Sequence, residues 1–236
     1  DQFPNIKIFK ELGIDLSKKS EVEKNYIEAQ KIINKKKDSL QFWKTHNAFC
    51  KFENKYDFTD LKNTSGAIYI VRDPRNVLTS LVNHFSLNSQ SEAKNFLFEE
   101  KNWLGFKKEN NEIQLTRFPT LISSWKTNYN SWKNISKNLL LIKYENLLSS
   151  PETEFGKIVI YLKKLLNVDF DKNKIENAIN SISFEKLKNK EISEGFYESV
   201  KDKTNNKKKR FFNLGPENKW ENLVEKNIVS EIEKRF

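Results

Sequence analysis

The chain is poor in cysteine and arginine and has no long apolar run. Its single cysteine, Cys50, excludes a disulfide framework and points to a reducing, intracellular setting. No stretch approaches the length of a membrane span, and no secretory signal is visible at the start. Arginine occurs only at 72, 75, 117, 210 and 235, so lysine supplies the other 37 of the 42 basic residues. With abundant asparagine and isoleucine, this is the composition of an AT-rich bacterial genome, and a cytoplasmic protein is expected. The six glycines never cluster, so no glycine-rich phosphate loop is written within these residues. No zinc finger, RRM signature or helix-turn-helix pattern is present. The net charge of +10 is then the one feature that speaks for nucleic acid, and lysine-loaded solvated faces explain it as well. No nucleic-acid partner is expected.

What is present is a strand–turn–helix signature. The apolar run Ala67 to Val71 reads as a buried strand, and Arg72-Asp73-Pro74 turns the chain. Val77, Leu78, Leu81, Val82 and Phe85 then recur at helical spacing, with Asp73 as N-cap and Pro74 at N1. Ligands of open α/β sheets bind at that edge. Arg72 there could grip a phosphate with its planar fork while Ser80 adds a hydroxyl. An arginine paired with a helix-terminal carboxylate in a structural turn explains the same pattern.

At 236 residues and 28.0 kDa the chain has the size of one α/β domain with a packed core. Ser20-Glu-Val-Glu23 reads as a capping box opening a helix to about Lys36, with Val22, Tyr26, Ala29 and Ile33 inside. Leu40 to Thr45 reads as a short strand delivering His46. Residues 91–108 read as a helix with Phe96, Trp103 and Phe106 available for packing, and Pro119 as the start of another. That second helix carries an aromatic stripe of Trp125, Tyr129 and Trp132, expected in the core. Leu139 to Lys143 reads as a strand, Pro151 to Leu166 as an apolar helix and Asp171 to Ile182 as a weaker one. From about Lys186 to Arg210 the pattern dissolves into a charged loop. Alternating strands and helices predict a parallel sheet of at least three strands, covered on both faces.

Four further segments share a family pattern with Arg72 and Ser80. They are Trp43-Lys44-Thr45-His46, Leu139-Leu-Leu-Ile-Lys-Tyr-Glu-Asn146, Ile182-Ser-Phe-Glu-Lys-Leu-Lys188 and Phe211-Phe-Asn-Leu-Gly-Pro-Glu-Asn-Lys-Trp220. In type and order they resemble the sulfotransferases that use 3′-phosphoadenosine-5′-phosphosulfate (PAPS), a P-loop-like α/β family. The resemblance implies sulfuryl transfer from PAPS to a hydroxyl or amine, leaving 3′-phosphoadenosine-5′-phosphate (PAP), with no metal. His46 would be the general base, and Lys44, on the same face two residues earlier, would approach the leaving oxygen. Arg72 and Ser80 would hold the 3′-phosphate. Tyr144, Ser183 and Phe184 would lie near the adenine, and Asn213, Gly215 and Trp220 would fall in the closing segment. His84 has no claim to chemistry. The acceptor would be a small molecule, a carbohydrate or a lipid; neither its identity nor the oligomeric state is written in the sequence.

Two departures qualify the resemblance. The family's Pro-Lys-Ser-Gly-Thr-Thr-Trp-like loop, which cradles the 5′-phosphosulfate, has no counterpart here. A single domain incomplete at both ends, its first strand and donor loop upstream, is therefore expected, and a poorly active one. In the closing segment Asn213 and Leu214 stand where the family has Arg and Lys, so Arg210 or Lys209 is the candidate substitute. Three readings compete: a non-catalytic nucleotide- or partner-binding relative, a charge-driven nucleic-acid binder, and another transferase of the same architecture, such as a P-loop kinase.

Overall fold

A computed structural model describes residue 3 and residues 5–36, 40–109, 112–135, 138–202 and 206–236. In chain order the elements begin with α1 (Ile6–Glu11), α2 (Lys19–Lys24), α3 (Tyr26–Lys36), β1 (Lys51–Phe52), β2 (Tyr56–Asp57), β3 (Ala67–Val71), α4 (Pro74–His84) and α5 (Gln90–Phe98). They continue with β4 (Trp103–Glu109), β5 (Glu112–Leu121), α6 (Trp125–Trp132), β6 (Leu139–Lys143), α7 (Tyr144–Ser149), α8 (Pro151–Leu166), α9 (Lys172–Ser181) and α10 (Phe184–Glu194). Two more helices, α11 (Trp220–Leu223) and α12 (Lys226–Arg235), end the chain. They form two compact units, one of Asp1–Ala67 with Phe98–Leu139, the other of Ile68–Leu97 with Leu140–Phe236.

The first unit is built around Tyr26. Its ring meets Phe3, Phe9, Phe52, Phe58 and Phe118 at centroid distances of 5.0–6.2 Å, and its hydroxyl donates to the Pro119 carbonyl at 3.1 Å. Val22, Ala29 and Ile33 are buried with it, as the helical spacing requires. The expected single helix is broken in two, however. Lys18, not Ser20, is the N-cap, and the Asn25 side chain caps the Glu21 carbonyl at 2.7 Å, ending α2 before α3 begins.

Of the two helices expected at 91–108 and from Pro119, the first stops at Phe98 as α5 and the second begins late as α6, and a hairpin lies between them. β4 and β5 pair antiparallel, and the register jumps from Leu104↔Thr120 to Phe106↔Leu115. Gly105 takes a positive φ of 92° at that irregularity, which a glycine adopts without strain. Pro119 lies in the skipped stretch of β5, where a missing N–H breaks no ladder bond. Trp103 and Phe106, three apart, imitate a helix face; Gly105 and the aromatic content favour the strand. The side chain of Phe106 lies outside the described residues. Helix α6 starts only at Trp125, where Ser124 accepts from the Thr127 amide at 3.2 Å. Within its stripe Trp132 is buried, whereas Trp125 and Tyr129 stack on each other, half-buried, at 5.4 Å.

The second unit carries the parallel pair β3 and β6, both with the bounds expected from their apolar runs. Helix α4 also begins and is capped as expected: the Asp73 side chain accepts from the Arg75 amide at 2.9 Å, and Pro74 opens the helix. Helix α8 keeps its expected bounds, and α9 lies between its caps Asp171 and Ile182. The α/β class is thus the one the sequence predicts, although the third strand expected at 40–45 is not formed. The stretch from Lys186 is not all loop either, since α10 runs to Glu194; residues 203–205 of it lie outside the described residues.

Candidate functional site

Residues 41–46 make no strand. Among the described residues, Lys44 is in a bridge, and its carbonyl accepts from the Phe3 amide at 2.9 Å. Period-two geometry survives: Phe42, Lys44 and His46 are exposed, while Gln41, Trp43 and Thr45 are half-buried. Lys44 and His46 therefore share a face, as the sequence predicts. The segment is fixed from its C-terminal side. Asn47 is buried, its side-chain oxygen takes the Leu121 amide at 2.7 Å, and its carbonyl takes the Trp132 indole N–H at 3.0 Å. The His46 carbonyl accepts from the Asn128 amide nitrogen at 3.3 Å.

In the second unit, the end of β3 delivers Arg72 and the second turn of α4 delivers Ser80. Their spacing of eight residues closes into a contact, Arg72 Nη1 donating to Ser80 Oγ at 3.0 Å. The guanidinium carbon lies 4.5 Å from the centroid of the Tyr144 ring, the first residue of α7. Tyr144 thus forms a platform under the fork, a cation–π arrangement. Burial pulls the Arg72 guanidinium below its ordinary pKa, while Tyr144, Glu145 and Asp73 pull it back. An arginine remains charged through such a shift. A simple Arg–carboxylate turn is made by the other arginine: Arg75 holds both Asp73 oxygens, Nη2 to Oδ2 at 2.6 Å, and also Glu233 at 2.7 Å. Burial opposes ionisation of Asp73, but the Arg75 hydrogen bonds and the charges of Arg75 and Arg72 hold it below the ordinary carboxylate value. Arg72 faces Ser80 and Tyr144.

Several supporting residues escaped the sequence reading. Glu145 accepts from the Asp73 amide at 2.9 Å and so ties the end of β6 to the start of α4. Asn76 accepts the Trp220 amide on its side-chain oxygen at 3.0 Å, and the Arg75 guanidinium lies 3.8 Å over the Trp220 ring. Buried Asn218 bonds to Thr79, Ser80 and the Asn76 carbonyl together. Glu191, on α10, takes the amides of Phe211 and Phe212 at 2.7 and 2.9 Å and the Ser199 hydroxyl at 2.5 Å. These residues pin the closing segment onto α4 and α10. Their one signal in the sequence is a short polar side chain, or a lone acid, amid bulky neighbours, which surface residues share.

The remaining expected residues fall as follows. Ser183 is the N-cap of α10 and Phe184 its first residue. The Phe184 ring lies against Gly215, where φ is 55° and a Cβ would enter the ring's van der Waals surface. Gly215 thus has a packing reason to be glycine. Asn213 and Leu214 are exposed. Lys209 pairs with Asp202 at 3.0 Å, whereas the exposed Arg210 is anchored by its carbonyl to Asn83 of α4 at 2.9 Å, one turn beyond Ser80. His84 packs edge-on against Phe85 and Phe211, a structural place.

The family model of the sulfotransferase domain matches residues 2–236, so the chain belongs to that family. Among solved structures it resembles mouse sulfotransferase SULT7A1 complexed with PAP, with a TM-score of 0.51 and 16% sequence identity. The match covers 80% of this chain and 62% of that one, so the chain spans less than two thirds of the mouse enzyme's length. No curated protein matches it in sequence. Among the described residues, no helix is long and apolar enough to cross a membrane.

Proposed function

We propose that the protein is a PAPS-dependent sulfotransferase, acting on a hydroxyl or amine of a small-molecule, carbohydrate or lipid acceptor, with residues 1–236 working as one domain. The observation that carries this reading is the Arg72–Ser80 contact of 3.0 Å beside the Tyr144 ring. It offers a fixed cationic fork and a hydroxyl at a strand's carboxyl end, a chemistry suited to a phosphate monoester. The residues fit the nucleotide: Arg72 and Ser80 toward the 3′-phosphate, Tyr144, Ser183 and Phe184 toward the adenine, and Asn213, Gly215 and Arg210 in the closing segment. Of the two candidate cations there, Arg210 is the better supported, because Lys209 already pairs with Asp202.

PAPS, when bound, supplies an activated sulfuryl group whose transfer is an in-line displacement needing no metal. His46 takes the acceptor's proton, a task suited to an imidazole near neutral pH. Lys44, on the same exposed face, stabilises charge on the leaving oxygen. The lysine-dominated composition and the lone Cys50 support a cytoplasmic bacterial enzyme. One feature favours the second reading, a non-catalytic PAP-binding relative: exposed Leu214 can donate nothing to a phosphate.

Calorimetric titration of the full chain with PAP and with 5′-AMP tests the donor site. PAP should bind more tightly, and Arg72→Ala should lower its affinity about 10- to 100-fold, the range for losing charge-assisted hydrogen bonds. Equal binding of PAP and 5′-AMP by folded protein would remove the sulfotransferase reading as an activity.

A further inference from the structure

The hydrogen bonds at Ser80 do not leave its hydroxyl free to choose a role. Arg72 Nη1 donates to Ser80 Oγ at 3.0 Å and Asn218 Nδ2 donates to the same oxygen at 3.1 Å. A hydroxyl has two acceptor sites and one proton. Both acceptor sites are used, so Ser80 can meet a ligand only as a donor. Among the described residues its proton goes to the Asn76 carbonyl, at a long 3.3 Å. That carbonyl also receives Asn218 Nδ2 at 3.1 Å. The Ser80 proton is weakly held and easily turned toward an incoming oxygen.

Asn218 is itself fixed. Its two amide protons go to Ser80 Oγ and the Asn76 carbonyl, and its oxygen accepts from the Thr79 hydroxyl. It is 8% exposed, so water competes little for these bonds. Reversing the amide would set its oxygen against the Asn76 carbonyl, an acceptor facing an acceptor. The Thr79 proton is shared between the Asn218 oxygen and the Asn76 carbonyl, 2.9 Å away, so the Asn76 carbonyl and Thr79 together orient Asn218, and Asn218 orients Ser80.

We propose that Asn218 is a positioning residue that holds Ser80 as a hydrogen-bond donor and so selects a phosphate over a hydroxyl at the ligand's 3′ position. This rests on the donor-site reading above. A phosphate oxygen carries acceptors only and satisfies both Arg72 and Ser80. A 3′-hydroxyl brings a proton of its own that finds no acceptor between two donors, and leaving it unmet is costly. Asn218 spends its polar atoms on Thr79, Ser80 and the Asn76 carbonyl, and its effect reaches the phosphate through Ser80.

The test is the ratio of PAP to 5′-AMP affinity in the full chain, read by calorimetry. Asn218→Ala should lower the ratio about tenfold, the worth of one well-made hydrogen bond, through PAP alone. In a Ser80→Ala background the same substitution should change nothing further, because the group it orients is gone. Thr79→Val, isosteric and one step removed, should lower the ratio by a smaller factor, about two- to threefold. A residue that merely tethers the closing segment would weaken PAP and 5′-AMP alike and would add to Ser80→Ala. That pattern overturns the proposal, as does an unchanged ratio in Asn218→Ala. Should Asn218→Ala fail to fold, Thr79→Val decides: an unchanged ratio there overturns it. If the unaltered chain shows no preference for PAP, the donor-site reading fails instead, which is a separate result.

Discussion

The two units support their candidate groups in opposite ways. In the first, Lys44 and His46 sit on an exposed segment fixed through its backbone, by Phe3 at one carbonyl, Asn128 at another and buried Asn47 just beyond. Behind it lies an aromatic core centred on Tyr26. In the second, Arg72 and Ser80 are fixed through their side chains, by each other, by Tyr144 and by Asn218. The difference follows from the chemistry each would do. A proton-transfer group needs its Cα placed where its ring can reach a substrate. An anion site works by donors already oriented, since any reorientation on binding is subtracted from affinity.

The contrast can be broken at either unit. The largest expected effect is on turnover: His46→Ala should lower it about 10²- to 10⁴-fold, the usual contribution of a general base, with PAP affinity unchanged. Unchanged turnover in a sulfuryl-transfer assay would make His46 a surface residue. Next comes the core behind it. Tyr26→Ala empties the centre of the ring cluster and should cost about 3–5 kcal/mol in denaturant unfolding. A loss under about 1 kcal/mol would mean the rings do not hold that unit together.

Smaller effects belong to the closing segment. Gly215→Ala demands both a positive φ and room that the Phe184 ring occupies, so PAP affinity should fall several-fold, on the order of 1 kcal/mol. Glu191 gives the mildest handle. Burial opposes its ionisation, but hydrogen bonds from Ser199, Phe211 and Phe212 and the charge of Lys208 outweigh that and hold its pKa below the ordinary 4.5. A carboxyl with a depressed folded value stabilises above its ordinary value and loses that contribution as pH falls through the folded one. Hydrogen-exchange protection at the Phe211 and Phe212 amides, corrected for intrinsic rates, should therefore persist at pH 5 and fall away below 4.5. Glu191→Gln should lose about tenfold in that protection at neutral pH and flatten the profile.

The same contrast explains what could be read from the sequence. β3, β6 and α8 were legible to the residue from their apolar runs, and α4 at its start, where Asp73 and Pro74 fix the end. Arg72 and Ser80 were legible because their spacing survives any packing detail. The hairpin of β4 and β5 was not, since Trp103 and Phe106 fit a helix period and only the register jump at Gly105 explains Pro119. The strand expected before His46 failed for a related reason: alternation marks which residues face solvent, whereas a strand needs a paired neighbour, and among the described residues the pairing there is a bridge at Lys44. Asn218, Asn76, Glu145 and Glu191 were illegible because each matters through partners distant in sequence, up to 144 residues away for Asn76 and Trp220.

The most direct test of the site at the end of β3 holds charge constant and moves only geometry. PAP and its isomer with the phosphate on the 2′ rather than the 3′ oxygen carry the same charge. Competition between them for the full chain, at one ionic strength, separates a shaped phosphate site from attraction to a chain of net charge +10. A site defined by Arg72 and Ser80 should favour PAP by about tenfold or more, and Arg72→Ala should erase the preference. Equal affinity for the two isomers, unaltered by Arg72→Ala, would contradict it and leave general electrostatics as the reason a nucleotide binds.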